Sequence, residues 1–581
     1  MKKIYLSEYG IMPDTDITLS LFSLFQQNMN DCEFVFEKGD YFLSPHHEMH
    51  YDYKLSNSDP LPFRMLGVWM KNMKNCVVNG NGSCLYFSGQ MQPFTLDGCE
   101  NVKICNFTVN WKKPLVAEGE VLNVGDGFLD VYIDGEKFPH RMNDGIFEFD
   151  TGADEWYKAT GWLIAFEPHD RRARRGIADF CYKKVTKIAD DIYRLETNGA
   201  CVVKVGDFLN IRHNARVHAG VFSEKCTDMV VENVTFYSCP GLGCLAQFCH
   251  NLTYRAVNFL PDTASGRYVS SGRDDGMHIT CCSGRVTISE CSFHALMDDP
   301  INVHGCCVTS DEVVDEFTLR CKYRHPMACA FKYWAEKGDE IAFIARDAMN
   351  RVAFGNVVSY TLEDDETFVL KFDFRIPDEV LALAEKKDSL ALENLTKTAE
   401  FFCTHNRFGS CRARGVLVAT PKKVVISDNY FETSGSAILV AGDSNYWFES
   451  GECGDVEISN NIFTNACLSS EYQFCDGIIS ITPVVPKPVL SKPFHKNIRI
   501  TSNTFDTPQN PVLSAFSCEK LVFSDNTVYK SPSAEKWHHK EKYVNLSFCR
   551  KADIKNNLTI GFGQDEFSAW FENCEEINCD I

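Results

Sequence analysis

The feature that most constrains the fold is a short pattern that recurs along the chain: apolar-x-apolar, a turn residue, then a second short apolar strand. It begins at Val102 (VKICNFTV), Met229 (MVVENVTF), Leu252 (LTYRAVNF) and Val286 (VTISECSF). It returns at Val424 (VVISDNYF), Val456 (VEISNNIF), Ile498 (IRITSNTF), Leu521 (LVFSDNTV) and, more weakly, Ala552 (ADIKNNLT). The smallest step between starts is 23 residues, and other steps are longer. A minimum period with variable excess is what a solenoid gives when some turns carry loops. Strand alternation around an Asn turn selects β coils, and the L-x-x-L-x-L signature of leucine-rich repeats is missing. The expected fold is all-β, a right-handed parallel β-helix with Asn, Cys and Phe stacked in ladders inside it.

Two gaps break the repeat, 127 residues from Val102 to Met229 and 138 from Val286 to Val424. The first holds VAEGEVLNVGDGFLDVYIDG and the second RVAFGNVVSYTLEDDETFVLKF, and KVGDFLNIR in one echoes EKGDEIAFIAR in the other. Each gap predicts an inserted antiparallel, barrel-like β domain. The expected division is 1–111 for an N-terminal cap and first coils, 112–210 for one insertion, 211–308 for coils, 309–410 for the second insertion and 411–581 for the last coils. A helix over 15–28, capped by Asp14 or Thr15 and burying Leu19, Phe22 and Phe25, is expected to close the N-terminal end. The basic run RRARR at 171–175 reads as a solvated loop.

Chemistry concentrates in RDDGMHITCCSGRVTISECSFHALMDDPINVHG, residues 273–305. DDGMHI lies over DDPINV at an offset of 24, so the pairs Asp274–Asp275 and Asp298–Asp299 are one coil apart. Adjacent coils stack about 4.8 Å apart, which puts several carboxylates in one exterior groove. Crowded carboxylates repel, so one should hold a proton near neutrality. A proton donor beside water-activating carboxylates is the equipment of glycoside hydrolysis. A calcium site and a structural Asp ladder are the alternatives. His278 and His304 follow the pairs and are expected to hold sugar hydroxyls, with Arg273, Asp274 and Asn302 beside them in the same motifs. Downstream, RARGVLVAT carries Arg412 and Arg414, and GDSNYWFESG carries Asp443, Trp447 and Glu449, a sugar-binding composition in which a ring packs a pyranose face and charged groups fix hydroxyls.

Charge narrows the substrate. A net charge of −21 argues against nucleic acid and disfavours an anionic polysaccharide. The 27 cysteines, with no C-x-x-C spacing, fit reduced thiols in a cytoplasm better than a disulfide or zinc framework. The N-terminus has no apolar leader core, and no run of about 18 apolar residues suggests a membrane span. The sequons at Asn106, Asn233 and Asn251 fall inside strand patterns and read as structural.

RDDGMH, MDDPINVHG, RGVLV and GDSNYWFESG together resemble glycoside hydrolase family 110, exo-α-1,3-galactosidases that act on blood-group-B-type and linear galactosyl glycans. The resemblance runs over most of the chain. It implies a β-helix with inserted barrels, inversion, and no cofactor or metal. By motif it implies Asp298 as general acid, Asp275 and Asp299 as the pair that positions and deprotonates water, and binding roles for Arg414, Trp447 and Glu449. The implied partner is a terminal α-galactosyl glycan; a homodimer is compatible with the chain. Coil spacing alone sits nearer the carboxylate separation of retaining enzymes, so inversion rests on the resemblance. The rivals are a polygalacturonase-like hydrolase or calcium-dependent lyase, and a non-catalytic glycan-binding β-helix.

Overall fold

In the computed structural model, residues 1–581 are described except 62, 199–201, 214, 329–331, 465–466, 471, 508, 532–537 and 539. The two short strands of each repeat lie in one parallel sheet of 22 strands, and a further strand of each coil builds the facing parallel sheet. Val102 pairs with Met229, Met229 with Leu252, and Leu252 with Val286, so the first long gap closes directly on the next coil. The architecture is the expected parallel β-helix with two antiparallel barrels inserted.

The second gap needs a correction. Val286 pairs with Phe401, and Phe401 with Val424. The coil FFCTHNRF, inside the segment assigned to the second insertion (309–410), belongs to the β-helix, and the last barrel strand is Leu390–Asn394. It carries the repeat in full, with Phe401 and Cys403 buried, Asn406 in the Asn row and Phe408 in the Phe stack. Coils through Cys32–Val35, Lys74–Phe87 and Glu575–Cys579 also escaped the pattern.

Inside the helix the expected ladders form. Asn406, Asn429, Asn461, Asn503, Asn526 and Asn557 are linked in a row, each side-chain amide donating to the next Oδ1 at 3.0 Å. A buried amide left unpaired costs about 1–3 kcal/mol, so the ladder fixes coil register. Phe236, Phe259, Phe293, Phe408, Phe431, Phe463 and Phe505 stack with centroids 4.5–5.7 Å apart. Cys226 and Cys249 donate backbone N–H groups to Cys249 and Cys282 Sγ at 3.4 Å, and every described cysteine is a free thiol. The Asn106, Asn233 and Asn251 amides donate to Asn79, Asn106 and Asp228, which makes them structural rungs.

The N-terminal helix is shorter than expected, Thr18–Phe25. Asp16, not Asp14 or Thr15, accepts the Thr18 N–H at 2.9 Å. Leu21, Leu24 and Phe25 are buried against the first coil, while Leu19 is 42% exposed. Among the described residues no helix is long and apolar enough to cross a membrane.

The first barrel closes six strands between Val116–Gly125 and Phe208–Arg212. Its RRARR run is not a solvated loop: Arg174 bonds Asp207 at 2.6 Å, Arg175 bonds Glu167, and the Arg171 guanidinium stacks on Phe208 and Tyr268. The second barrel is continuous with the helix. Strand Ile301–Asp315 pairs in parallel with neighbouring coils over its first residues, then with Thr318–Lys322 and Leu390–Asn394 as barrel wall.

Candidate active site

Strand Met277–Thr280 lies beside Ile301–Asp315 with His278 opposite Asn302, the offset of 24 read from the sequence. Gly276 donates its N–H to the Asp299 carbonyl, and Gly243 to that of Asp275, so the acidic pairs stand at the entries of stacked strands. The next coil places Val416 opposite Ile301, and the same register puts Arg414 opposite Asp299. At this bend the pairs diverge. Asp275, Asp298 and Asp299 line one cleft with Asn302, Trp447 and Glu449. Asp274 turns away to Arg273 at 3.2 Å and Arg216 at 3.1 Å.

Arg216 gathers the carboxylates. Its Nη2 donates to Asp275 Oδ1 at 3.0 Å and Asp298 Oδ2 at 3.2 Å. Asp298 Oδ1 accepts the Tyr472 hydroxyl at 2.8 Å. Asp299 is clamped by Arg414, through Nε at 2.9 Å, Nη2 at 2.7 Å and the backbone N–H at 3.0 Å. Arg412 and Arg414 lie over the Tyr472 ring, and Arg412 is paired with Asp179 from the first barrel.

These surroundings give three neighbouring carboxyls unlike proton affinities. Burial, then the adjacent Asp298, pushes Asp275 well above the usual carboxylate range. Burial pushes Asp299 up to about 7 against the pull of Arg414. Burial works to raise Asp298 too, but Arg216, Arg414, Arg412 and the Tyr472 hydroxyl outweigh it and hold Asp298 below its ordinary value. Groups this close titrate as a unit, and such a unit can store a proton and accept another at one place.

Other expected ligands divide. Asn302 bonds Glu449 through Nδ2 at 3.3 Å and leaves its buried Oδ1 without a partner. Glu449 also accepts from Asn57 at 3.0 Å. Trp447 lines the cleft, its ring centroid 4.7 Å from that of His325 of the second barrel. Asp443 reaches the lining, but its carboxylate accepts backbone N–H groups from Asn445, Tyr446, Trp447 and Phe448, so it organises the loop rather than waiting for a sugar. Arg273 and Asp274 are set behind the cleft. The two histidines are also corrected: His278 Nδ1 meets Asp275 at 2.7 Å, its Nε2 meets His304 Nε2 at 2.8 Å, and His304 Nδ1 meets the Gly305 carbonyl at 2.5 Å. No ring nitrogen is left for a hydroxyl, and His304 is not part of the lining.

His278, His304 and Glu449 bring potential ligand atoms within 4.8 Å of one another. A tetrahedral ion with bonds of about 2.0–2.1 Å would hold its ligands about 3.3 Å apart. The imidazole nitrogens are at hydrogen-bond distance instead, and the other nitrogen of each ring is engaged.

Arg216, Tyr472 and Asn57 were not anticipated, whereas Arg412, expected beside Arg414, is found over the Tyr472 ring. Arg216 had a faint signal, since it precedes the strand His218–Glu224 two coils before the first Asp pair. Tyr472 and Asn57 come from loops outside the repeat and carried none.

The chain is similar to known proteins over nearly its whole length. A family profile described as GLAA-B beta-barrel domain I matches residues 117–209, the first barrel. Alpha-1,3-galactosidase B of Bacteroides thetaiotaomicron is 36% identical over 96% of this chain and 91% of its own. Alpha-1,3-galactosidase B of Phocaeicola vulgatus is 30% identical over 96% and 95%, and alpha-1,3-galactosidase A of Bacteroides fragilis is 28% identical over 96% and 92%. Among solved structures, an exopolygalacturonase from Thermotoga maritima is a distant likeness at 10% identity and a TM-score of 0.43, over 97% of this chain and 92% of that one. With its coils, its first barrel and nearly its whole length matched by such relatives, the chain belongs to the α-1,3-galactosidases of glycoside hydrolase family 110.

Proposed function

We propose that the protein is an exo-acting, inverting α-1,3-galactosidase that releases terminal α-1,3-linked galactose from glycans. The observation that carries this reading is the set of three carboxyls of unlike proton affinity on one cleft, two of them sharing Arg216 Nη2. Asp298 is the most accessible of the three, its side chain 29% exposed against 5% for Asp275 and 2% for Asp299, so it meets the leaving-group side. In this reading the proton held by Asp275 passes to Asp298, which delivers it to the glycosidic oxygen. Asp275, thereby ionised, and Asp299 hold and deprotonate the attacking water. The linkage and sugar are supported by the relatives' names, and an overall negative charge favours a neutral substrate.

The deciding experiment follows the first product of α-1,3-galactobiose by proton NMR. β-Galactose should appear before mutarotation mixes the anomers. An initial α-anomer means a covalent intermediate and a different assignment of these carboxylates. Polygalacturonate in a parallel reducing-sugar assay should give no product.

A further inference from the structure

The cleft floor holds a row of hydrogen bonds whose direction can be worked out. The Gly305 carbonyl can only accept, so His304 Nδ1 must carry a hydrogen. Both imidazoles are buried, and burial holds His278 down to about 4 and His304 below its ordinary value, so each ring is neutral at pH 7. A neutral His304 with its hydrogen on Nδ1 has a bare Nε2, which accepts from His278 Nε2–H. Neutral His278 then has a bare Nδ1, 2.7 Å from Asp275 Oδ2. Two acceptors cannot share that contact, so the hydrogen belongs to Asp275.

We propose that His278 and His304 are positioning residues, a one-way hydrogen-bond chain ending on the Gly305 carbonyl that fixes the resting proton on Asp275 and makes ionised Asp275 a stronger base. When Asp275 gives up its proton toward Asp298, its Oδ2 faces the bare Nδ1 of His278 and receives no hydrogen bond there. The carboxylate regains stability only by taking a proton, which in the reaction comes from water. One O–H bond of water breaks, one O–H bond forms on Asp275, and the hydroxide oxygen bonds the anomeric carbon as the glycosidic bond breaks.

The charged neighbours bear on the same bond. Arg216 donates to Asp275 Oδ1 and favours the ionised form, while Asp298 and Asp274 oppose it. Glu449 favours charge on the rings, and Arg216 opposes it at His278. The Glu449 Oε1 is 3.6 Å from His304 Nε2, beyond hydrogen-bond length, and the Glu449 carboxylate is already bonded by Asn57 and Asn302. The Asn302 side chain stands opposite His278, and His304 follows two residues on along the same strand face, so the two rings meet as diagonal neighbours.

This inference rests on the galactosidase reading for its kinetic consequence but not for its tautomers, and the test separates the two. Nitrogen-15 spectra of histidine-labelled native protein at pH 7 should show His278 as the neutral Nε2–H form and His304 as the neutral Nδ1–H form, assigned by their loss in the His278→Gln and His304→Gln variants. An imidazolium, or a His278 carrying its hydrogen on Nδ1, overturns the chain whatever the substrate. In kinetics, His304→Phe removes the acceptor, frees His278 to donate from Nδ1 and stabilises ionised Asp275. The limb of the kcat profile set by Asp275 should move to lower pH and kcat should fall at least tenfold with KM within about twofold. His304→Gln, whose amide can both accept from His278 and donate to Gly305, should keep the limb in place. A raised KM with an unmoved profile in both variants would make the histidines sugar ligands and end the proposal.

Discussion

The two Asp-Asp pairs are a comparison made by the molecule itself. They stand one coil apart on the same strand entries, in the same register. Asp275 has Arg216 on one oxygen and a row of imidazoles ending on a carbonyl on the other; Asp298 and Asp299 are met by guanidinium groups and a phenol. Asp275 keeps its proton, the guanidinium groups and the phenol draw one out of Asp298, and burial holds Asp299 up at about 7 against Arg414. A repeated motif thus yields unlike groups because equivalent positions of successive coils carry different side chains, His278 opposite Asn302 and Asp299 opposite Arg414. Geometry is copied by the coil, and proton affinity is not.

The largest break in the comparison should come from Asp298→Asn. If Asp298 delivers the proton, activity on α-1,3-galactobiose should fall roughly 10²–10⁴-fold, while aryl galactosides with good leaving groups lose much less. Equal loss on both substrates would remove Asp298 from that role. Next is Arg414→Met, which strips the clamp from the buried Asp299. Losing one partner of a buried pair costs about 3–5 kcal/mol, read as a lower denaturation midpoint as well as lost activity; a midpoint unchanged within error would mean that Asp299 is not held as an ion. Tyr472→Phe is milder. Without the hydroxyl, ionised Asp298 loses a hydrogen bond and its proton affinity rises. The acid then stays loaded to higher pH, so the alkaline limb of the kcat profile should move upward. A downward shift would contradict the donor geometry. The smallest effect concerns the imidazole wall. Because its nitrogens are hydrogen-bonded to one another, dialysis against EDTA should leave the rate unchanged, and a rate restored only by added metal ion would require another account of His278, His304 and Glu449.

What was legible in the sequence follows the same division. The coils, the ladders and the stacking of the two Asp pairs are periodic, so spacing alone located them. The coil at Phe401 carries the same spacing, with Asn406 and Phe408 in place, yet the repeat was not followed into it, and with it went the true end of the second insertion. Arg414 is the in-register neighbour of Asp299, but a 115-residue offset separates them until the barrel is removed from the count. The direction in which a side chain leaves a bend is not periodic. That is why Asp274, Arg273 and His304 were expected in the cleft and are not there, and why Tyr472 and Asn57, both on loops, were not expected at all. Asp443 misled for another reason: an acid in a loop is as useful to four backbone N–H groups as to a sugar.

Strand Ile301–Asp315 has a consequence for how the protein can be recombined. The first barrel leaves and rejoins the helix through loops, so it can be exchanged between relatives as a cassette, provided that the recipient keeps partners for Asp179, Arg171 and Arg172. The second barrel offers no such joint. One strand of 15 residues, about 50 Å long, carries Asn302 and His304 at one end and barrel wall at the other. A crossover placed inside it must either keep the cleft floor with its own barrel or realign both together. Chimeras cut at the first barrel should therefore fold, while those cut within Ile301–Asp315 will part Asn302 and His304 from the barrel wall that continues them.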